Sequence, residues 1–229
     1  MQIKGLQKTT LLDFPGKIAC TVFLGGCNFR CPFCHNASIA IPEKSGYTIE
    51  MKDFLAFLDS RKGKIQGVCV SGGEPTLHPE LPLLLSEIKN RGFSVKLDTN
   101  GTNPKMLGEL IFSGLVDYVA MDIKNSQEKY CLTSGVEYNN CLDAVKQSAT
   151  VLMLSGIDFE FRTTVVRELH EPQDFELIGK WLSGNEKYFL QTYRPDGDQI
   201  VGGFSSYSRE ETQNLLSIIK KYIPNAEIR

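Results

Sequence analysis

The chain has 229 residues, with 25 Lys+Arg against 27 Asp+Glu and a formal net charge of −2. With 41% hydrophobic and 23% charged residues, global disorder and a fibrous chain are excluded. The near-neutral balance gives no electrostatic footprint for nucleic acid, and no apolar run approaches the roughly 20 residues of a membrane span.

The N-terminus, MQIKGLQKTTLLDFPGK, lacks the apolar stretch of a signal peptide, so a cytoplasmic, reducing compartment is expected. The first β-rich run is 18–24, IACTVFL, followed by a helical stripe at Met51, Phe54, Leu55 and Leu58. The run 67–70, GVCV, precedes Leu81, Leu84, Leu85 and Ile88. The run 93–97, FSVKL, precedes Leu107, Leu110 and Ile111, which stand behind Asn103-Pro104, a cap with proline at the first helical position. The run 116–121, VDYVAM, precedes Leu142, Val145, Ala149 and Leu152. The run 157–163, IDFEFRT, precedes Phe175, Ile178 and Leu182, just after Pro172. The run 188–191, YFLQ, precedes Leu215, Ile218, Ile219 and Tyr222, opened by a capping box at Ser208 and Glu211.

Several of these runs are apolar enough for burial on both faces. Six strands alternating with helices predict an α/β fold with a parallel sheet and right-handed crossovers. Six units are too few for an eight-fold barrel, which leaves a doubly wound sheet or an incomplete barrel. In either, ligands sit at the carboxyl ends of the strands. No linker or shift in composition interrupts the chain. A single domain over 1–229 is expected, with its core at about 16–195 and a helical extension at 205–229 that packs rather than binds a partner.

Seven cysteines are an odd number for a disulfide scaffold, and three lie within eight residues: Cys27, Cys31 and Cys34. Their C-x3-C-x2-C spacing follows the first strand. Three thiolates on one loop suit a [4Fe–4S] cluster with one iron left open, since such clusters have four ligands. Zinc, with His35 or a distant cysteine as fourth ligand, is the alternative, and an unmetallated loop is a third reading. Cys20 and Cys69 lie in strands and read as small hydrophobes.

After the second strand, Gly72 and Gly73 would let the backbone approach a ligand, and the Glu74 carboxylate suits an ammonium group; an ordinary turn competes. After the third and fourth come Asp98-Thr99-Asn100-Gly101 and Asp122-Ile123-Lys124. Two facing carboxylates repel unless a cation separates them, either Lys124 or a bound monovalent cation. After the fifth strand Arg162, and after the sixth Arg194, could grip a carboxylate or stand solvated at the rim. All these residues fall at the same end of successive strands.

The cysteine spacing, Phe33 before the last cysteine and Gly72-Gly73-Glu74 together resemble the radical S-adenosylmethionine (SAM) superfamily. Cys34-His35-Asn36, Asp98 to Gly101 and Asp122 to Lys124 are similar to its glycyl-radical-enzyme activases. QKTTLLDFPG at 7–16, VFLGGCNFRC at 22–31, VAMDIK at 119–124 and FRTTV at 161–165 resemble the activating proteins of anaerobic ribonucleoside-triphosphate reductase.

The resemblance implies a partial (β/α)6 TIM-like barrel and a [4Fe–4S] cluster on the three cysteines, its open iron chelated by SAM. It also implies that the region of Gly73 and Glu74 holds the methionine amino group and that Phe33 and His35 lie beside the adenine. Asp98, Thr99 and Asp122 would fit the cation and ribose region, and Lys124 and Arg162 would contact SAM. Arg194 stands where a related activase has a histidine, which leaves its contact open. The implied partners are a glycyl radical enzyme, anaerobic ribonucleotide reductase, as protein substrate and a flavodoxin or ferredoxin as electron donor. A pyruvate formate-lyase activase, a small-molecule radical SAM enzyme and an electron-transfer iron–sulfur protein are the competing readings.

Overall fold

Parallel strands need long crossovers, and the spacing of the β-rich runs supplies them. The computed structural model describes residues 1–41, 46–136, 140–185, 187–196 and 198–229. It contains β1 (Ile3–Thr10), β2 (Ala19–Leu24), β3 (Gly67–Gly72), β4 (Ser94–Thr99), β5 (Tyr118–Asp122), β6 (Asp158–Val165), β7 (Tyr188–Thr192) and β8 (Glu227–Ile228). The helices are α1 (Ala37–Ala40), α2 (Met51–Ser60), α3 (Leu81–Asn90), α4 (Pro104–Phe112), α5 (Tyr130–Ser134), α6 (Asn140–Ser155), α7 (Pro172–Trp181) and α8 (Arg209–Ile219). The six expected strands are β2 to β7, and the six expected helical stripes are α2, α3, α4, α6, α7 and α8. The expected caps form: the Asn103 side chain accepts from the Met106 N–H, and Ser208 and Glu211 close a capping box.

One sheet carries all eight strands in the order β1 to β8. From β2 to β8 every pair is parallel, and β1 joins β2 antiparallel. This order decides between the two architectures. A doubly wound sheet reverses its strand order once, which puts helices on both faces. Here the order never reverses, so right-handed crossovers place the helices on one face and the sheet curls away from them. The result is a partial barrel of the TIM type.

Alternation along the strands separates two environments. Val68, Val70, Val95, Leu97, Val119 and Met121 face the helices and join one large apolar core with Phe54, Leu84 and Leu107. The opposite, inward face is largely polar, so the strands are not apolar on both sides. Cys69, Lys96 and Tyr118 form one inward row across β3, β4 and β5, and Asp122 and Arg162 form another across β5 and β6. Cys69 does not pack as a small hydrophobe: the Lys96 ammonium lies 3.8 Å from its sulfur. Cys20, by contrast, is in the outer core. A second small apolar cluster, Phe14, Ala19 and Tyr118, fills the barrel at the amino ends of the strands.

The segment after β7 does more than add a packing helix. It includes α8 and ends in β8, which pairs with β7. Arg229 then reaches the fully buried carboxylate of Glu160 with two hydrogen bonds, at 2.7 and 3.0 Å, and lies 3.4 Å over the Phe189 ring. The Tyr118 hydroxyl donates to the same carboxylate at 2.8 Å. Among the described residues no helix is long and apolar enough to cross a membrane.

Candidate active site

The loop between β2 and α1 carries the three clustered cysteines at the carboxyl end of the barrel. Phe29 and Phe33 anchor it in the core. Gly26 N–H donates to the Ile39 carbonyl at 2.8 Å, and Arg30 N–H donates to the Ser134 carbonyl at 2.9 Å. Cys27, Cys31 and Cys34 all face a cavity of about 270 Å³. Phe33, His35, Asn36, Gly72, Gly73, Asp98, Thr99, Asn100, Asp122, Lys124 and Arg162 line it with them. Fourteen of the sixteen residues expected at the site therefore come together.

The two exceptions have physical reasons. Glu74 is fully buried and turned into the protein. One carboxylate oxygen accepts from the Thr76 N–H and hydroxyl and from the Thr99 hydroxyl, and the other accepts from the Asn100 N–H at 2.6 Å. Those bonds leave it no role in presenting a charge to an ammonium group. It ties the β3 turn to the β4 turn. Burial raises its pKa, and the hydrogen bonds from Thr76, Asn100 and Thr99 oppose that. Arg194 lies beyond the end of β7, exposed and away from the cavity. Gln191, on β7 itself, lines the cavity in its place, beside Thr164 of β6.

The glycines also act differently from the expectation. A Cβ on Gly72 would lie 2.2 Å from the Leu24 carbonyl oxygen, and one on Gly73 would lie 2.0 Å from that of Gly26 and 3.2 Å from the Cys27 Cβ. The close approach they permit is therefore to the end of β2 at Gly72 and to the cysteine loop at Gly73, as well as toward the cavity. Gly73→Ala should displace that loop and cut the iron bound after anaerobic reconstitution several-fold. Gly108→Ala, on α4 where a Cβ meets nothing within 4 Å, should load normally. Equal iron content in the two variants would contradict the packing role.

Across the cavity from the cysteines runs a string of alternating charges. Lys96 pairs with Asp98. Arg162 Nη1 lies 3.5 Å from Asp98, and its Nη2 and Nε both lie 2.9 Å from Asp122. Lys124 closes the string at 3.0 Å from Asp122. The positive group that the structure places between the two carboxylates is thus the Arg162 guanidinium. Burial would raise the Asp122 carboxyl, but Arg162 and Lys124 outweigh it and hold the group at about 2. Asp98 is likewise lowered, against its burial, by Arg162 and Lys96. At the cavity surface Arg162 and Lys124 stand against Asp98 and Asp122, with the buried Lys96 behind Asp98. Burial pushes the Cys27 thiol up to about 11 and the Cys31 thiol up to about 12, with Lys124 pulling both down.

The pattern of the radical SAM superfamily matches residues 21–175. The chain belongs to that superfamily. A protein of Methanocaldococcus jannaschii named for glycyl-radical enzyme activation is 34% identical over 239 residues, covering 99% of this chain and 95% of its own. A pyruvate formate-lyase-activating enzyme of Clostridium pasteurianum is 31% identical over 128 residues, 54% of this chain and 52% of its own. The crystal structure of Streptococcus suis SuiB bound to precursor peptide SuiA superposes with a TM-score of 0.71 at 16% identity, over 91% of this chain and 48% of that one. Native anSMEcpe with bound AdoMet and peptide superposes with a TM-score of 0.65 at 16% identity, over 91% of this chain and 62% of that one. These two structures show the same fold.

Radical SAM membership brings a [4Fe–4S] cluster and SAM as cofactors, and it removes the zinc reading. The donor set fits. Three soft sulfur donors stand on one wall, as an iron–sulfur cluster requires, and the Lys124 and Arg162 side chains line the same cavity. Among the described residues no group of three or more His, Cys, Asp or Glu is placed to hold a metal ion. A cluster spreads its thiolates over separate irons, so its ligands need not converge on one point. Thiols ligate iron as thiolates, so loading releases protons.

Sequence reasoning missed one part of this radical SAM site. The chain after β7 straps down the cysteine loop. Tyr193 stacks on His35, with ring centroids 5.1 Å apart, and meets Phe33 edge-on at 6.3 Å. Val201 N–H donates to the Pro32 carbonyl at 2.9 Å, Ala37 N–H to the Asp198 carbonyl at 3.3 Å, and Ser38 N–H to the Asp198 carboxylate. The signal was an aromatic one residue past the strand, next to the arginine that drew the reading instead.

Proposed function

We propose that this radical SAM protein is an activase that installs a glycyl radical on a partner enzyme, anaerobic ribonucleoside-triphosphate reductase. The observation that carries the activase reading is the full-length relative named for glycyl-radical enzyme activation, set beside a cavity with three thiols on one wall. The likeness of 7–16, 22–31, 119–124 and 161–165 to the reductase activators supports the partner. The Clostridium pasteurianum relative favours pyruvate formate-lyase as the second reading.

When bound, the cluster and SAM supply a one-electron cleavage that yields methionine and a 5′-deoxyadenosyl radical able to take hydrogen from a glycine Cα. This chain's residues bind, orient and shield. Cys27, Cys31 and Cys34 hold the cluster. Gly72 and Gly73 present backbone to the methionine end of SAM, and Lys124 and Arg162 neutralise its carboxylate. Phe33, His35 and Asn36 border the adenine, and Asp98, Thr99 and Asp122 the ribose. The electron comes from a flavodoxin or ferredoxin.

The test is anaerobic. Reconstituted protein is reduced and mixed with SAM and the candidate reductase, and an electron paramagnetic resonance spectrum is recorded. A glycyl-radical doublet together with 5′-deoxyadenosine is expected. 5′-Deoxyadenosine without the doublet would point to another partner. Cys31→Ala should retain its fold, read by circular dichroism, and lose SAM cleavage; a variant that cleaves SAM at the normal rate would sink the assignment.

A further inference from the structure

The Asn100 side chain is held by a closed ring of hydrogen bonds. Its Oδ1 accepts from the Thr102 N–H at 3.0 Å and from the Thr102 hydroxyl at 2.7 Å. The Thr102 hydroxyl in turn accepts from Asn28 Nδ2 at 2.8 Å. Asn28 Oδ1 accepts from Asn100 Nδ2 at 2.9 Å, which closes the ring. Every donor meets an acceptor, and a backbone N–H fixes which end of the Asn100 amide is oxygen. Reversing that amide would set Oδ1 against Asn28 Oδ1 and an amide N–H against the Thr102 N–H.

One Asn100 N–H serves Asn28. The other can only point outward from the ring, and the atom it meets is the Cys27 sulfur, 3.9 Å from Nδ2. The backbone is pinned as well, because Asn100 N–H donates to the buried Glu74 at 2.6 Å. Cys27 also accepts from the Phe29 N–H at 3.3 Å. Cys31 differs: its thiol faces the Ser134 carbonyl oxygen at 3.7 Å, an acceptor rather than a donor. The thiols are therefore not equivalent, and Asn100 is the side chain that makes Cys27 the donor-rich corner.

Donors on a ligating sulfur draw electron density from it and stabilise the reduced, more negative cluster, and hydrogen bonds to the sulfurs are among the factors that set iron–sulfur potentials. We propose that Asn100 is a positioning residue that tunes the cluster: the ring with Asn28 and Thr102 holds its amide on Cys27 and raises the reduction potential. This rests on the cofactor reading above. The step concerned is addition of one electron to the oxidised cluster, with no bond made or broken.

Reconstituted wild type, Asn100→Leu, Asn100→Asp and Asn28→Ala would be titrated anaerobically with dithionite through mediator dyes, without SAM, and the reduced signal followed by electron paramagnetic resonance. The midpoint should fall in Asn100→Leu, fall further in Asn100→Asp, which puts an acceptor against the sulfur, and fall less in Asn28→Ala, which only opens the ring. If Asn100→Leu fails to load, the isosteric Asp variant and Asn28→Ala carry the test. A wild-type cluster whose midpoint is the same in all variants, with only the KM for SAM raised, would overturn the proposal alone. Wild-type protein that takes up no iron would overturn the cofactor reading, and this proposal with it.

Discussion

Arg162→Met is expected to cost about 3 kcal/mol of stability at pH 7 and to weaken SAM binding roughly tenfold or more. The guanidinium stands between Asp98 and Asp122, so its loss leaves each carboxylate with one lysine and removes the positive centre of the string. The stability effect should depend on pH in a defined sense. The Asp122 carboxyl lies at about 2 in the folded protein against 3.8 as the unperturbed value. A folded pKa below the unfolded one contributes stability that is complete above the unfolded value and disappears as pH falls through about 2. The gap between wild type and Arg162→Met should therefore be widest above about pH 5 and narrow between pH 4 and pH 2. Urea unfolding at a series of pH values would measure it. A gap independent of pH would mean that Arg162 acts through packing and not as a counter-ion.

Arg229→Ala should have an effect of similar size with no effect on chemistry. Glu160 is fully buried, and Arg229 supplies both hydrogen bonds that balance its charge, leaving Tyr118 alone when it is removed. Stranding a buried charge in this way costs about 3–5 kcal/mol. The pair lies at the amino ends of the strands, across the barrel from the cysteines, so protein that stays folded should load iron and bind SAM normally. Glu160→Gln placed on top of Arg229→Ala should recover part of the loss, because the double variant no longer buries an unpaired carboxylate. Two single losses that merely add would show that no coupling exists.

The elements that sequence periodicity revealed are those whose faces differ. Each helical stripe has an apolar side, and β2 to β7 carry apolar residues toward the helices. β1 escaped because it has no such alternation: Gln7, Lys8 and Thr9 are all exposed, and its membership comes from backbone pairing with β2. β8 is two residues long and has no pattern to detect. The cysteines and strand-end residues were legible because topology forces everything after a parallel strand to the same end. The direction of the Glu74 carboxylate was not, since a turn glutamate can face a ligand or its own neighbouring backbone at equal sequence cost. The charged interior was legible in principle. In Val95-Lys96-Leu97-Asp98 the apolar and charged residues alternate, and in a curled sheet with helices outside, the charged pair must point inward. Read as a short apolar run, that signal was lost.

The strap after β7 has a consequence for the order of events during synthesis. Asp198 is 160 residues further along the chain than Ser38, whose N–H it receives. At about 5–20 residues per second, the ribosome exposes the cysteine loop roughly 8–32 seconds before its clamp exists. Through that interval the nascent thiols have no finished wall around them. The loop that carries the three thiols is therefore held in its final place only once the chain has been made through Asp198.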